Sequence, residues 1–179
     1  MPDLSILKTY KPTLIFIAKF SGIYLVLARL YQWYLSLYSN QTDPITSLTG
    51  KLVTYVFQMS HLEAQTAALK NEPGLKLIIN GEYIARIIEG CTAVSVIIMF
   101  VAFILSFGKS LTKSLTFALT GSILIFIFNI LRIAILGHLM YTYPQWQDLA
   151  HRVAFPAMIY GFVIVLWIIF VKKINHESD

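Results

Sequence analysis

"IIEGCTAVSVIIMFVAFILSF", residues 87–107, passes from a polar, turn-rich stretch into an unbroken apolar run and carries the single cysteine of the chain. From Cys91 to Phe107 it reads as a membrane-crossing helix, since about 20 apolar residues carry a helix through a bilayer core. Reading outward from it, spans are expected at 13–34, 115–141 and 153–171 as well. These make four crossings in one integral membrane domain over residues 1–179, an all-α transmembrane helix bundle. The first run, "TLIFIAKFSGIYLVLARLYQWY", carries Lys19 and Arg29, which snorkel toward its ends in this reading.

Composition agrees with a membrane protein. Hydrophobic residues make up 57% and charged residues 13% of the chain, and the mean hydropathy is +0.69, well beyond a soluble domain. The net charge of +5 sits in short flanks of the apolar runs, where it sets topology, so nucleic acid is excluded as a partner and the lipid bilayer is the expected one. A lone cysteine closes no internal disulfide, and no Cys/His metal spacing is present, so neither cofactor nor metal is expected. "MPDLSILKTYKP" lacks a signal-peptide cleavage pattern.

With four spans, Lys8, Lys11, Lys109, Lys113, Lys172 and Lys173 share one side, which the positive-inside rule makes the cytoplasm. Both termini are then cytoplasmic, and residues 35–90, of mixed charge, lie outside with the connection 142–152. "DPITSLTGKLVTYVFQMSHLEAQTAALK" (43–70) reads as one or two amphipathic helices along the membrane surface. "EPG" at 72–74 breaks it, and "LKLIINGEYIARII" (75–88) reads as a short β-hairpin around Asn80-Gly81.

That topology gathers Cys91 at the start of the second span, Arg132 in the last third of the third and His151 at the start of the fourth into one outer layer. Free cysteines often merely pack, but a thiol at a helix N-terminus near a cation has its thiolate favoured. An arginine within an apolar helix is a functional-site candidate unless it snorkels; Asn129, three residues earlier, shares its face. Glu89 beside the cysteine and His138 near the outer end of the third span are supporting candidates, His138 being the rival base. Arg152 and Asp148 flank His151 and orient it in this reading. Together these residues supply a nucleophile, a base and an oxyanion donor for acyl transfer. Two alternatives stay open: a membrane scaffold held together by Arg132 and Asn129, and a small transporter using Arg132 as an anion site.

"EGCTA" (89–93), "NILRIAIL" (129–136) and "HRVAFPAMIYG" (151–161), in this order on consecutive apolar runs, resemble the three signature regions of the exosortase and archaeosortase family, in its short exosortase form, over roughly residues 75–170. The resemblance implies a multi-pass cysteine protease or transpeptidase of the bacterial inner membrane. Its implied partners are exported proteins whose C-terminal sorting signal comprises a short motif, a transmembrane tail and a basic cluster. It assigns Cys91 as nucleophile, Arg132 as the arginine of the second signature and His151 as the histidine of the third. The chain departs from the pattern in having one span ahead of the cysteine, and in Phe155-Pro156 where a glycine often follows the histidine.

Overall fold

A computed structural model describes residues 4–70, 72–108, 110–146 and 150–176, the side chains of residues 4–9, 146, 150–151, 155 and 174–176 excepted. The described chain is mostly helical. It runs through α1 (Leu4–Ser36), α2 (Pro44–Met59), β1 (Ala64–Ala68), β2 (Leu75–Ile79), β3 (Glu82–Ile87), a 3-10 turn at Glu89–Cys91, α3 (Val94–Phe107) and α4 (Leu111–Thr142). A second 3-10 turn at Pro144–Trp146 and a π-helical turn at Ala150–Ala154 lead into α5 (Phe155–His176).

Among the described residues three helices are long and apolar enough to cross a membrane: Tyr10–Ser36 in α1, Leu111–Thr142, which is α4, and Arg152–Lys173, which takes in most of α5. The expected span at 91–107 is shorter than anticipated. Its helix, α3, has 14 residues, about 21 Å of rise against a hydrocarbon core of about 30 Å. The cause is local: the 3-10 turn and a left-handed Ala93 (φ 60°) interrupt the backbone before Val94. Cys91 therefore ends a turn instead of opening the helix.

Aromatic pairs fix the register of the bundle. Phe16 of α1 meets Phe103 and Phe107 near the C-terminus of α3, Trp167 of α5 stacks on Phe103, and Phe170 of α5 lies tilted against Phe117 of α4. Lys11, Lys113, Lys172 and Lys173 are thereby gathered at one end. Phe100 is fully buried in this cluster, and a Cβ on Gly121 would collide with its ring, so α3 and α4 approach closely only because residue 121 has no side chain.

At the other end α4 outruns its neighbours. Its C-terminal third carries Ile130, Ile133 and Ala134 into a second core with Val53 and Phe57 of α2 and Leu77, Ile79 and Ile87 of the sheet. The apolar stripe of α2, Thr46, Thr49, Gly50, Val53 and Phe57, is thus buried against sheet and α4, not laid on a membrane surface. Asp43 caps this helix, its Oδ1 accepting from the N–H groups of Ile45 and Thr46 at 3.0 Å.

The second stretch expected to be helical is a strand. α2 ends in a Schellman-type turn, with Leu62 N–H on the Phe57 carbonyl, His61 N–H on that of Gln58 and His61 left-handed at φ 58°. "AQTAA" then pairs antiparallel with β2 as the first strand of a three-stranded sheet ordered β1-β2-β3. Alanine-rich sequence favours helix, and the ladder to β2 overrides it. Asn80 and Gly81, at φ 49° and 84°, close the β2–β3 turn, and Asn80 Nδ2 donates to the Tyr141 hydroxyl at 3.0 Å, fastening its tip to the end of α4.

The close approach at residue 121 is testable. Gly121→Leu should destabilise the protein by about 1–3 kcal/mol through overpacking, read as a lower unfolding midpoint in mild detergent. Gly161→Ala, where an added Cβ meets nothing within 4 Å, should leave the midpoint unchanged or slightly raised.

Candidate active site

Cys91 sits where the two cores meet, packing against the outer one, while Ala93, two residues on, belongs to the membrane one. The chain leaves β3 extended at Ile88 and turns once. Cys91 N–H bonds the Ile88 carbonyl at 2.8 Å, and Thr92 N–H bonds the Glu89 carbonyl at 3.2 Å. The buried Thr92 hydroxyl donates to that same carbonyl at 2.8 Å. An alanine held left-handed immediately after is an uncommon backbone state for a residue with a Cβ, and it separates the turn from α3 as a rigid unit of its own.

The decisive contact comes from α4. Asn129, fully buried, donates from Nδ2 to the carbonyl oxygen of Cys91 at 2.8 Å, and among the described residues its Oδ1 has no hydrogen-bond partner. Arg132 lies one turn further along the same face, 5% exposed. Its guanidinium is within electrostatic reach of Cys91 and of Tyr160 on α5. Cys91 itself is half-buried, with Sγ 4.0 Å from the Arg86 carbonyl oxygen of β3. The structure therefore brings Cys91, Asn129 and Arg132 together.

The other sequence candidates fall differently. Glu89 is half-buried in the turn and lines a cavity of about 230 Å³ with Gly90, with Tyr24, Tyr31 and Gln32 of α1, and with Ser95 and Ile98 of α3. His138 is exposed and lies nine residues from Asn129, about 180° around the helix, so it does not share the face that holds Cys91. His151 lies in the π-helical turn ahead of α5; its side chain, and Asp148 as a whole, lie outside the described residues. Arg152 is exposed beside it. Among the described residues no group of three or more His, Cys, Asp and Glu side chains could hold a metal ion.

Tyr160 was not singled out from sequence, although it is a polar residue in an otherwise apolar stretch of "HRVAFPAMIYG", the signal that could have found it. Tyr31, beside Thr92 and Glu89, left no such signal, being one of several aromatic residues at the end of its apolar run.

These features define a helical membrane protein with a thiol, an amide and a guanidinium assembled at one end of its bundle. Its sequence matches the family profile described as transmembrane exosortase over residues 6–172, nearly the whole chain, and the protein belongs to that family. The match takes in α1 and the outer α2–sheet cap, well ahead of the three signature stretches. No curated protein and no solved structure matches the chain.

If the Asn129 amide holds the cysteine turn, Asn129→Ala should lower stability by about 1–3 kcal/mol, the cost of a buried carbonyl left without its donor. Maleimide labelling of the folded protein, specific because Cys91 is the single cysteine, should then be faster than in wild type. An unchanged labelling rate in a folded Asn129→Ala protein would show that the turn is held by other contacts.

Proposed function

We propose that the protein is a membrane-embedded cysteine protease or transpeptidase that cleaves C-terminal sorting signals of exported proteins. The observation that carries this reading is the hold of α4 on the cysteine turn, the Asn129 amide on the Cys91 carbonyl oxygen, with the Arg132 guanidinium within electrostatic reach of Cys91 from one helical turn on. A packing cysteine needs neither group. A nucleophile needs its backbone held still and a fixed cation where negative charge develops.

His151 is the base in this proposal. It takes the Cys91 proton, and the thiolate attacks the carbonyl carbon of the scissile peptide bond. The oxygen becomes an oxyanion beside Arg132, which holds its proton under all ordinary conditions and presents several N–H donors. Collapse of the intermediate breaks the C–N bond, and the imidazolium gives its proton to the leaving amine, the new N-terminus of the detached tail. A thioester remains on Cys91. Water or an acceptor amine, deprotonated by His151, then attacks it, returning the thiol and releasing an acid or an amide.

The orientation proposed is a bacterial inner-membrane one, with both termini cytoplasmic and the site extracytoplasmic. Supporting it, the lysines of α1, α4 and α5 gather at one bundle end, and the positive-inside rule assigns that end to the cytoplasm. The turn and α3 together form the fourth, short crossing. From Leu111 to Asn129, α4 rises about 27 Å, which brings Cys91 to the outer edge of a hydrocarbon core of about 30 Å.

The test is processing of membrane-anchored exported proteins in the native host, followed by mass spectrometry of C-terminal peptides. Cys91→Ala should abolish processing and accumulate uncleaved precursors. Arg132→Lys, keeping charge but losing the fork of donors, should slow cleavage by about 10²–10³-fold, the usual cost of an oxyanion donor. Full processing by Cys91→Ala would remove the proposal. Silent Cys91→Ser combined with an unfolded Arg132→Leu would instead favour a scaffold.

A further inference from the structure

The hydrogen-bond parity of the sheet shows which backbone groups point away from it. Asn80 N–H bonds the Glu63 carbonyl at 2.8 Å and Leu69 N–H that of Gly74 at 3.1 Å, so the even-numbered residues of β2 face β1. The intervening residues Leu75, Leu77 and Ile79 face β3, opposite Ile87, Ala85 and Glu82. Backbone direction alternates along a strand, so Arg86 turns its N–H and C=O to the outer side of β3. β3 is an edge strand.

The cysteine turn folds back onto this same edge. Cys91 N–H takes the carbonyl of Ile88, two residues beyond Arg86, and Cys91 Sγ lies 4.0 Å from the Arg86 carbonyl oxygen. Among the described residues no strand pairs with the outer side of β3, and that edge ends at the thiol, which donates to the Arg86 carbonyl until a substrate backbone displaces it. The bulge between the Ile78 and Leu77 pairings leaves one extra β3 residue, Ile84, between Tyr83 and Ala85, and bulges of this kind occur where an edge stops or re-aims its pairing.

We infer that the residues of the substrate just ahead of the scissile bond add to this sheet as a short fourth strand, paired with the outward N–H and C=O of Arg86, so that the scissile carbonyl arrives at Cys91. The inference rests on the proposed function, and the occupant is an extended polypeptide backbone because a strand edge offers alternating donors and acceptors that only another backbone matches. Its direction follows from the fold. β3 runs from the Asn80–Tyr141 contact at the end of α4 down to the level of Asn129, toward the membrane. A substrate with its folded part outside and its tail in the bilayer runs the same way, so the added strand is parallel to β3. Its side chains alternate between the exposed face carrying Lys76, Tyr83 and Arg86 and the face turned to α4.

Cross-linking tests this on the intact protein. Cys91→Ala leaves the chain without cysteine, and the probe is the precursor that accumulates in Cys91→Ala cells, given single cysteines at successive positions ahead of its cleavage site. With Arg86→Cys or Tyr83→Cys added to the Cys91→Ala protein, disulfides should form with alternate precursor positions, and Gln65→Cys on β1 should give none. Cross-links at β1, cross-links without alternation, or none at all would overturn the inference. In the chain that retains Cys91, Arg86→Pro removes an outward N–H without breaking a sheet hydrogen bond. It should cut processing about tenfold, the loss of one substrate hydrogen bond, while Ala68→Pro, which removes an outward N–H from the opposite edge at β1, processes normally; equal loss in the two would count against pairing at β3. The two readings fail separately. Absence of any accumulated precursor removes the proposed function, whereas accumulation without β3 cross-links removes only the added strand.

Discussion

One amide fastens the cysteine turn to the helix that both halves of this protein share. Asn129 Nδ2 reaches the carbonyl of Cys91, 38 residues away in sequence, and the bond is shielded from water because Asn129 is fully buried. At that depth a backbone carbonyl without a donor costs about 1–3 kcal/mol, so the turn has one favourable seat. Everything nearby takes its position from that seat. Arg132 comes within electrostatic reach of the cysteine because it lies a helical turn from Asn129, and the end of β3 meets the thiol because the same turn doubles back on the strand.

The two hydrophobic cores explain why the turn needs such an anchor. The outer core ties α2 and the sheet to α4, and the inner core ties α3 and α5 to the other end of the same helix. Besides α4 itself, the cysteine turn is a covalent link between them, only a few residues long, with Cys91 packed against one core and Ala93 in the other. Without a contact to α4 its geometry would follow any small shift of one core against the other. A hydrogen bond to the shared helix removes that freedom, and left-handed Ala93 lets α3 start in its own direction without dragging the turn along.

Much of this was legible from residues alone, because it follows from hydropathy and helical spacing. The long apolar runs of α4 and α5 stand out by hydropathy, that of α1 does so despite Lys19 and Arg29 within it, and Asn129 and Arg132 fall on one face by their separation of three. What escaped has a physical reason in each instance. The apolar run after Cys91 reads as one unbroken helix because composition does not register the backbone break at Ala93. "AQTAA" has the composition of a helix and becomes a strand only because β2 is available beside it. The stripe on α2 has the period of a surface helix whether it meets lipid or protein, and only the tertiary structure decides. Tyr160 approaches Arg132 across two helices, a relation that spacing within one helix does not encode.

The overhang of α4 has a consequence for how a cleavage position would be chosen. Eighteen residues of rigid helix separate Leu111 from Asn129, so the distance from the lysine-bearing end of the bundle to the thiol is fixed at about 27 Å. In the proposed orientation a peptide bond held at that height would lie where hydrocarbon gives way to headgroups and water, the depth at which a backbone can abandon helical hydrogen bonds without leaving them unsatisfied. Under the proposed function the bundle would act as a ruler. An apolar segment anchored by basic residues at the lower end presents its upper boundary to the cysteine whatever its side chains are, and the cut would be registered by length before it is registered by sequence.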